Sequence, residues 1–325
     1  MTDKSERGGA LLAVLWLSAI LAAVAFSVAN TVRGETERTS TQSEAVRTYY
    51  LATSAIERAL MYIELGPGTR NPDGSVHFFE PNTSRLHFAW PEGVATVEII
   101  PESSKFDLNA TAAPDLLRLL TTVGMNPDAA RETTAAILDW RNPAGSGGFS
   151  PFDGFYQSQH PSFRSRHASF EETEELLLVK GMTPDLFYGS YGRNGEGRLL
   201  PRPALRDCVS VCGSTGPFDI NTVQPAVLAA IGFPPAVAAS IEQRRRATPF
   251  RNEGEIAQLA PIVGPAFSRV TFGPGMASIY SLRATAQLRN PNGGLSDLTR
   301  SVAAMLKFHK PGVTPAVEIL RWYDN

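Results

Sequence analysis

The sequence predicts an α+β protein in which a long N-terminal helix leads into β-type runs that a large helical block interrupts. Three observations carry this. Residues 8–32 contain no ionisable side chain, and at ~1.5 Å per residue they cover a bilayer core of ~30 Å. Beyond them, Ala45, Tyr49, Ala52, Ile56, Ala59 and Ile63 recur at spacings of three and four, the mark of one buried helix face. Finally, alternating β-type runs lie on both sides of an Ala- and Leu-rich block, as expected when a helical domain is inserted into one sheet domain.

The elements follow in order. One helix over residues 9–65 would be about 85 Å long, ending at Gly66-Pro67-Gly68. Gly34 costs ~1 kcal/mol relative to Ala and marks a candidate bend. Strands are expected over 76–80, 85–90 and 94–100, divided by Pro81-Asn82 and Pro91-Glu92-Gly93. The helical block runs over 106–272, and strand signals return at 278–289, 298–308 and 316–322. Asn290-Pro291-Asn292-Gly293-Gly294 reads as a hairpin tip. The division is therefore 9–65 for the transmembrane and stem helix, 66–105 with 273–325 for the sheet domain, and 106–272 for the insert.

The insert contains an internal echo. Phe106-Asp107-Leu108-Asn109-Ala110 precedes Leu116, Leu117 and Leu120, then Val123-Gly124 and a helix from 129 to 140. Phe218-Asp219-Ile220-Asn221-Thr222 precedes Val227 and Leu228, then Ile231-Gly232 and a helix from 236 to 246. In each copy Asp and Asn are expected to cap a helix start, and Gly to reverse the chain between two helices. Residues 170–181 read as a shorter relative of the same unit.

The apolar segment admits three readings. A secretory signal needs an apolar core of about 7–15 residues and a small-x-small cleavage site, for which Ala23-Val24-Ala25 lies inside the run rather than after it. An ordinary single-span anchor is the second, with Lys4 and Arg7 before it and Arg33 and Arg38 after it giving no clear orientation. Prepilin processing is the third. A prepilin peptidase would cut after Gly8, removing 1–8 as a cytoplasmic leader and leaving Gly9 as the first mature residue, with a cut after Gly9 the alternative.

The Gly8-Gly9-Ala10-Leu11-Leu12 pattern resembles the leader of GspK-type minor pseudopilins of type II secretion. So do Asn221-Thr222 with Leu228, Asp139-Trp140, and the run from Glu174-Glu175-Leu176 to Gly181-Met182, which are similar to that family's helix-hairpin-helix-like motifs. The resemblance implies a pilin-like fold with a long N-terminal helix and antiparallel sheet, interrupted by a large all-α insertion. It also implies a single-pass inner-membrane protein with its head in the periplasm, GspI- and GspJ-type partners, and a place at the filament tip. Ala13, or Val14 if the cut falls after Gly9, stands where major pilins carry Glu at the fifth mature position, so the terminal amine has no acidic neighbour to meet. That suits a subunit with nothing ahead of it. Structural calcium is a further option the family implies. Here Asp139-Trp140 is followed by Arg141-Asn142-Pro143-Ala144-Gly145 rather than by acids, leaving Asp153, Asp207 and Asp219 as unpatterned candidates.

Other classes fare worse. The formal net charge is −2 in 325 residues, and residues 107–269 hold 15 Lys/Arg against 17 Asp/Glu, which gives nucleic acid little to bind. Arg244-Arg245-Arg246 is the one concentrated basic patch, expected to be solvated at a helix C-terminus. The hairpin turns Val123-Gly124-Met125-Asn126-Pro127 and Ile231-Gly232-Phe233-Pro234-Pro235 lack the second glycine of a phosphate-binding Gly-x-Gly turn, and Pro removes an amide. A membrane-tethered DNA-uptake protein is thus the rival from another class, and a type IV minor pilin the rival within it. No catalytic signature is present, and His77, His87, His160, His167 and His309 are scattered. Cys208 and Cys212, the two cysteines, could close a small disulfide in an oxidising compartment or remain free thiols.

Overall fold

The computed structural model of the chain describes residues 6–66, 69–74, 77–79, 83–143, 150–193, 195, 197–258, 264–273, 279–309 and 314–324. In chain order it comprises α1 (Glu6–Leu65), β1 (Arg85–Trp90), β2 (Gly93–Pro101), β3 (Phe106–Asp107), α2 (Ala113–Thr122) and α3 (Pro127–Arg141). These are followed by α4 (Asp153–Gln157), α5 (Pro184–Tyr188), β4 (Ser190–Arg193), β5 (Leu199–Arg202), β6 (Val209–Ser210) and β7 (Phe218–Asp219). Then come α6 (Pro225–Ala230), α7 (Pro235–Arg245), α8 (Glu253–Ala257), β8 (Val270–Thr271), β9 (Ile279–Arg289), β10 (Leu295–Phe308) and β11 (Val317–Asp324).

Helix α1 runs without a break through Gly34, so the expected bend is not marked by any interruption. Residues 1–5 of the expected leader, and Pro67-Gly68 of the stop signal, lie outside the described residues. The first half of α1 exposes its apolar side chains all round. The second half buries Ala52, Ala55, Ile56 and Ala59 in the core it shares with the sheet.

 Small side chains on this face let the helix approach the strands closely. The five-stranded sheet is antiparallel throughout, in the order β1-β2-β9-β10-β11. β2 buries alternate residues, including Ala95, Val97 and Ile99, against α1, as the two-residue period of a strand requires. At Gly93 the approach leaves no room for a side chain: a Cβ there would sit 2.2 Å from Gln287 O and 2.8 Å from Leu51 Cδ2. The predicted hairpin tip joins β9 to β10, with Gly293 at φ 86° and its N–H donating to Asn290 O.

The expected strand at 76–80 is not found. Val76 and Glu80 lie outside the described residues, and 77–79 form no strand. Instead this stretch folds back on the end of α1, where His77 N–H donates to Thr69 O (3.1 Å) and Gly66 faces the backbone of Phe79.

A second core gathers residues from Phe106 to Ala266 and is separate from the helix-and-sheet core. It is not all-α, as the sequence suggested. Short parallel pairs β3–β6 and β7–β8 and the antiparallel hairpin β4–β5 accompany its helices. Two-residue strands are too short to leave a periodic signal. The cores meet just after β2, where buried Glu102 receives hydrogen bonds from Lys105 Nζ (2.8 Å) and from Ser281 Oγ on β9 (2.6 Å).

Candidate assembly interface

Two surfaces stand out: the uncovered length of α1 and the body built by the internal echo. Gly9–Leu65 contains an apolar window long enough to cross a membrane, and none of that window is buried in the protein. Leu11, Trp16 and Phe26 are exposed along it. Nearer the sheet, Val46 and Tyr50 remain exposed while Thr48 and Ala52 turn inward. The outer stem therefore leaves apolar side chains uncovered.

The echo proves to be a structural duplication. Asn109 Nδ2 donates to Phe170 O (3.0 Å) and its Oδ1 accepts from Phe170 N (2.7 Å). Asn221 repeats both bonds with Phe250, at 3.0 and 2.7 Å. Asp107 Oδ1 accepts from Asn109 N and Asp219 Oδ1 from Asn221 N. These residues bind their own loop and a distant strand of chain, rather than capping the following helix as expected. The N-cap positions of α2 and α6 are Ala112 and Gln224, and neither makes a side-chain cap. The segment beginning at Phe170 is accordingly the closing part of the first copy, matched by the one beginning at Phe250, and is no third unit.

An arginine holds each loop from the opposite side. Arg141 donates to Leu108 O (2.6 Å) and Thr111 O (2.8 Å), and Arg245 to Ile220 O (2.9 Å) and Val223 O (2.6 Å). Their preceding residues also correspond: Trp140 Nε1 donates to Glu175 Oε2 (3.2 Å), and Arg244 Nη2 to Glu255 Oε2 (3.0 Å). Arg246 pairs with Glu242 (2.6 Å). The triple-arginine run is thus largely consumed inside the fold, which corrects the expectation of a solvated patch. The copies join where the rings of Phe106 and Phe218 meet edge-on, 5.1 Å apart. Arg269 also grips Asp115 with two bonds of 2.9 and 2.8 Å.

The hairpin turns offer no phosphate cradle. Gly124 N and Met125 N donate to Thr121 O and Leu120 O, and Gly232 N and Phe233 N repeat this with Ala229 O and Leu228 O. Both glycines have φ above 100°, the left-handed helix ending that consumes these amides internally.

Electrostatics follow burial. Burial pushes the Glu102 carboxyl up, but the Lys105 charge and hydrogen bonds from Lys105, Ser210 and Ser281 overcome this and hold it below the usual range. Burial raises Asp219 despite bonds from Asn221 and Thr222. Cys208 and Cys212 are free, so the expected disulfide is not formed. Burial pushes the Cys208 thiol up to about 12, and its Sγ donates to Ala204 O (3.5 Å). Asp153, Asp207 and Asp219 do not converge on a cation. They face His167 (3.6 Å), Arg283 (3.5 Å) and Thr222 (2.9 Å) respectively. Among the described residues no group of three ligating side chains can hold a metal, so these residues do not fit the calcium that the resemblance implied.

The family model for type II secretion system protein K matches residues 100–188. A type II secretion system protein K from Klebsiella pneumoniae is 25% identical over 260 residues, spanning 74% of each chain. A chain in the crystal structure of the GspK-GspI-GspJ complex from enterotoxigenic Escherichia coli shares the fold with a TM-score of 0.55 and 16% identity. The match covers 89% of this chain and 99% of that one. A long apolar helix seated on an antiparallel sheet, with a large insert, defines a pilin-like subunit. The matched segment, the curated relative and the shared fold together support a GspK-type minor pseudopilin of type II secretion. The matches favour neither DNA uptake nor type IV pili.

Proposed function

We propose that this minor pseudopilin is a non-catalytic cap at the tip of the secretion pseudopilus. A prepilin peptidase removes residues 1–8, leaving Gly9 at the amino terminus. The mature chain crosses the inner membrane once, with its head in the periplasm. The stem packs with other minor pseudopilins, of which the GspI and GspJ types are the expected partners by analogy with the solved complex. The broad insert, residues 106–272, stands over the filament end and leaves no seat for a further subunit.

One observation carries this reading: α1 is a single helix whose exposed apolar half continues into a half packed on the sheet. A rod of this kind has its uncovered part satisfied only by lipid or by similar rods. Ala13 at the fifth mature position adds to it. Intact-mass analysis of the membrane-extracted protein tests it. Loss of residues 1–8 alone, with or without methylation of the new amine, is the expected result. An uncut amino terminus, or a cut beyond Ala25, would overturn it.

A further inference from the structure

Hairpin β4–β5 stands apart from both cores and carries the most exposed apolar side chains of the insert. Tyr191 is 73% exposed, Leu199 61% and Leu200 52%. Its register pairs Tyr191 with Pro201 and Arg193 with Leu199, which puts these four on one face. Leu200 and Arg202 lie on the other. Both faces thus mix apolar and cationic groups. A two-stranded ribbon in water is marginally stable by itself, and a protein groove would be met by one apolar face with a polar face behind it.

Charge is equally one-sided. Residues 188–206 include Arg193, Arg198, Arg202 and Arg206 against the single acid Glu196. Among the described residues neither Arg193 nor Arg202 forms an ion pair. Gly192 leaves space for the Arg202 guanidinium to lie across the ribbon, since a Cβ there would be 2.7 Å from its Nε. Arg206 stacks on Tyr188, with 5.3 Å from Cζ to the ring centre. Tyrosine and arginine with apolar bodies and polar ends suit the boundary between headgroups and acyl chains.

We propose that this hairpin docks on an anionic phospholipid surface, with Tyr191, Leu199 and Leu200 entering the headgroup boundary and Arg193 and Arg202 meeting phosphate groups. This goes beyond the tip reading, which rests on helix α1 and is tested separately by intact mass.

The test uses the full chain held by its own helix in phosphatidylcholine nanodiscs and mixed with floating vesicles. Vesicles containing phosphatidylglycerol should capture the discs on the order of tenfold better than pure phosphatidylcholine, each basic residue near such a surface adding about 1 kcal/mol. The R193E/R202E double variant should lose that preference. The R193K/R202K variant, which keeps the charge, should retain it, and Y191S/L199S should weaken capture by both lipid mixtures. Equal capture by the two vesicle types, unchanged capture by R193E/R202E, or loss in R193K/R202K would each overturn the proposal. Failure to bind either vesicle would do the same and favour an acidic protein as occupant.

Discussion

Asn109 and Asn221 each tie one remote backbone unit through both its N–H and its C=O. Removing a buried partner costs more than removing an exposed one, because the orphaned groups cannot turn to water. Asn221 is buried and Asn109 only partly so. Asn221→Ala should therefore destabilise the detergent-solubilised chain by about 1–3 kcal/mol, and Asn109→Ala by less, as read by thermal unfolding. Glu102 gives a pH prediction. Its folded pKa lies below the unfolded one, so its stabilisation is full above the unfolded value and is lost as pH falls through the folded value. Asp219 has the opposite sign: its raised pKa makes its contribution decline as pH rises from the unfolded towards the folded value. Unfolding temperature measured from neutral to acid pH should fall less steeply for Glu102→Gln than for the parent, while starting lower. Thiol alkylation is a third readout at this scale. Cys208 should react only after unfolding, because burial withholds the thiolate.

Each copy in the insert is a loop, two helices and a returning segment, fastened by one asparagine and one arginine. Arg245→Met keeps the aliphatic stem but removes two bonds to carbonyls. It should raise amide hydrogen exchange in the loop after β7 while leaving α1 and the five-stranded sheet protected, since those belong to the other core. Gly93→Ala should act on that other core, where the backbone contact at β9 leaves no room and overpacking costs about 1–3 kcal/mol. The Phe-Asp-x-Asn echo was legible because it is local. What it fastens was not, because Phe170 and Phe250 lie far along the chain and nothing in their spacing points back. Arg141 and Arg245 were hidden for a different reason. An arginine at a helix end fits the dipole equally well when solvated, and only the fold shows which carbonyls it reaches. The strands of the sheet were readable from alternation, whereas β3, β6, β7 and β8 have only two residues each.

At the scale of the whole molecule, the stem carries the assembly argument. Tyr50 is exposed on the outer face of α1, where it packs edge-on against Tyr49. Tyr50→Asp should leave unfolding of the head almost unchanged and lower co-purification with GspI- and GspJ-type partners on the order of tenfold, since an aromatic anchor in such an interface contributes about 1–2 kcal/mol. Equal recovery of partners would show that this part of the stem faces solvent in the filament.

Because α1 is one uninterrupted element from Glu6 to Leu65, and its far half is packed on the sheet by Ala52, Ala55, Ile56 and Ala59, no loop separates its uncovered apolar half from the sheet. A push or a turn applied at the exposed end reaches the sheet along one continuous helix rather than through a loop.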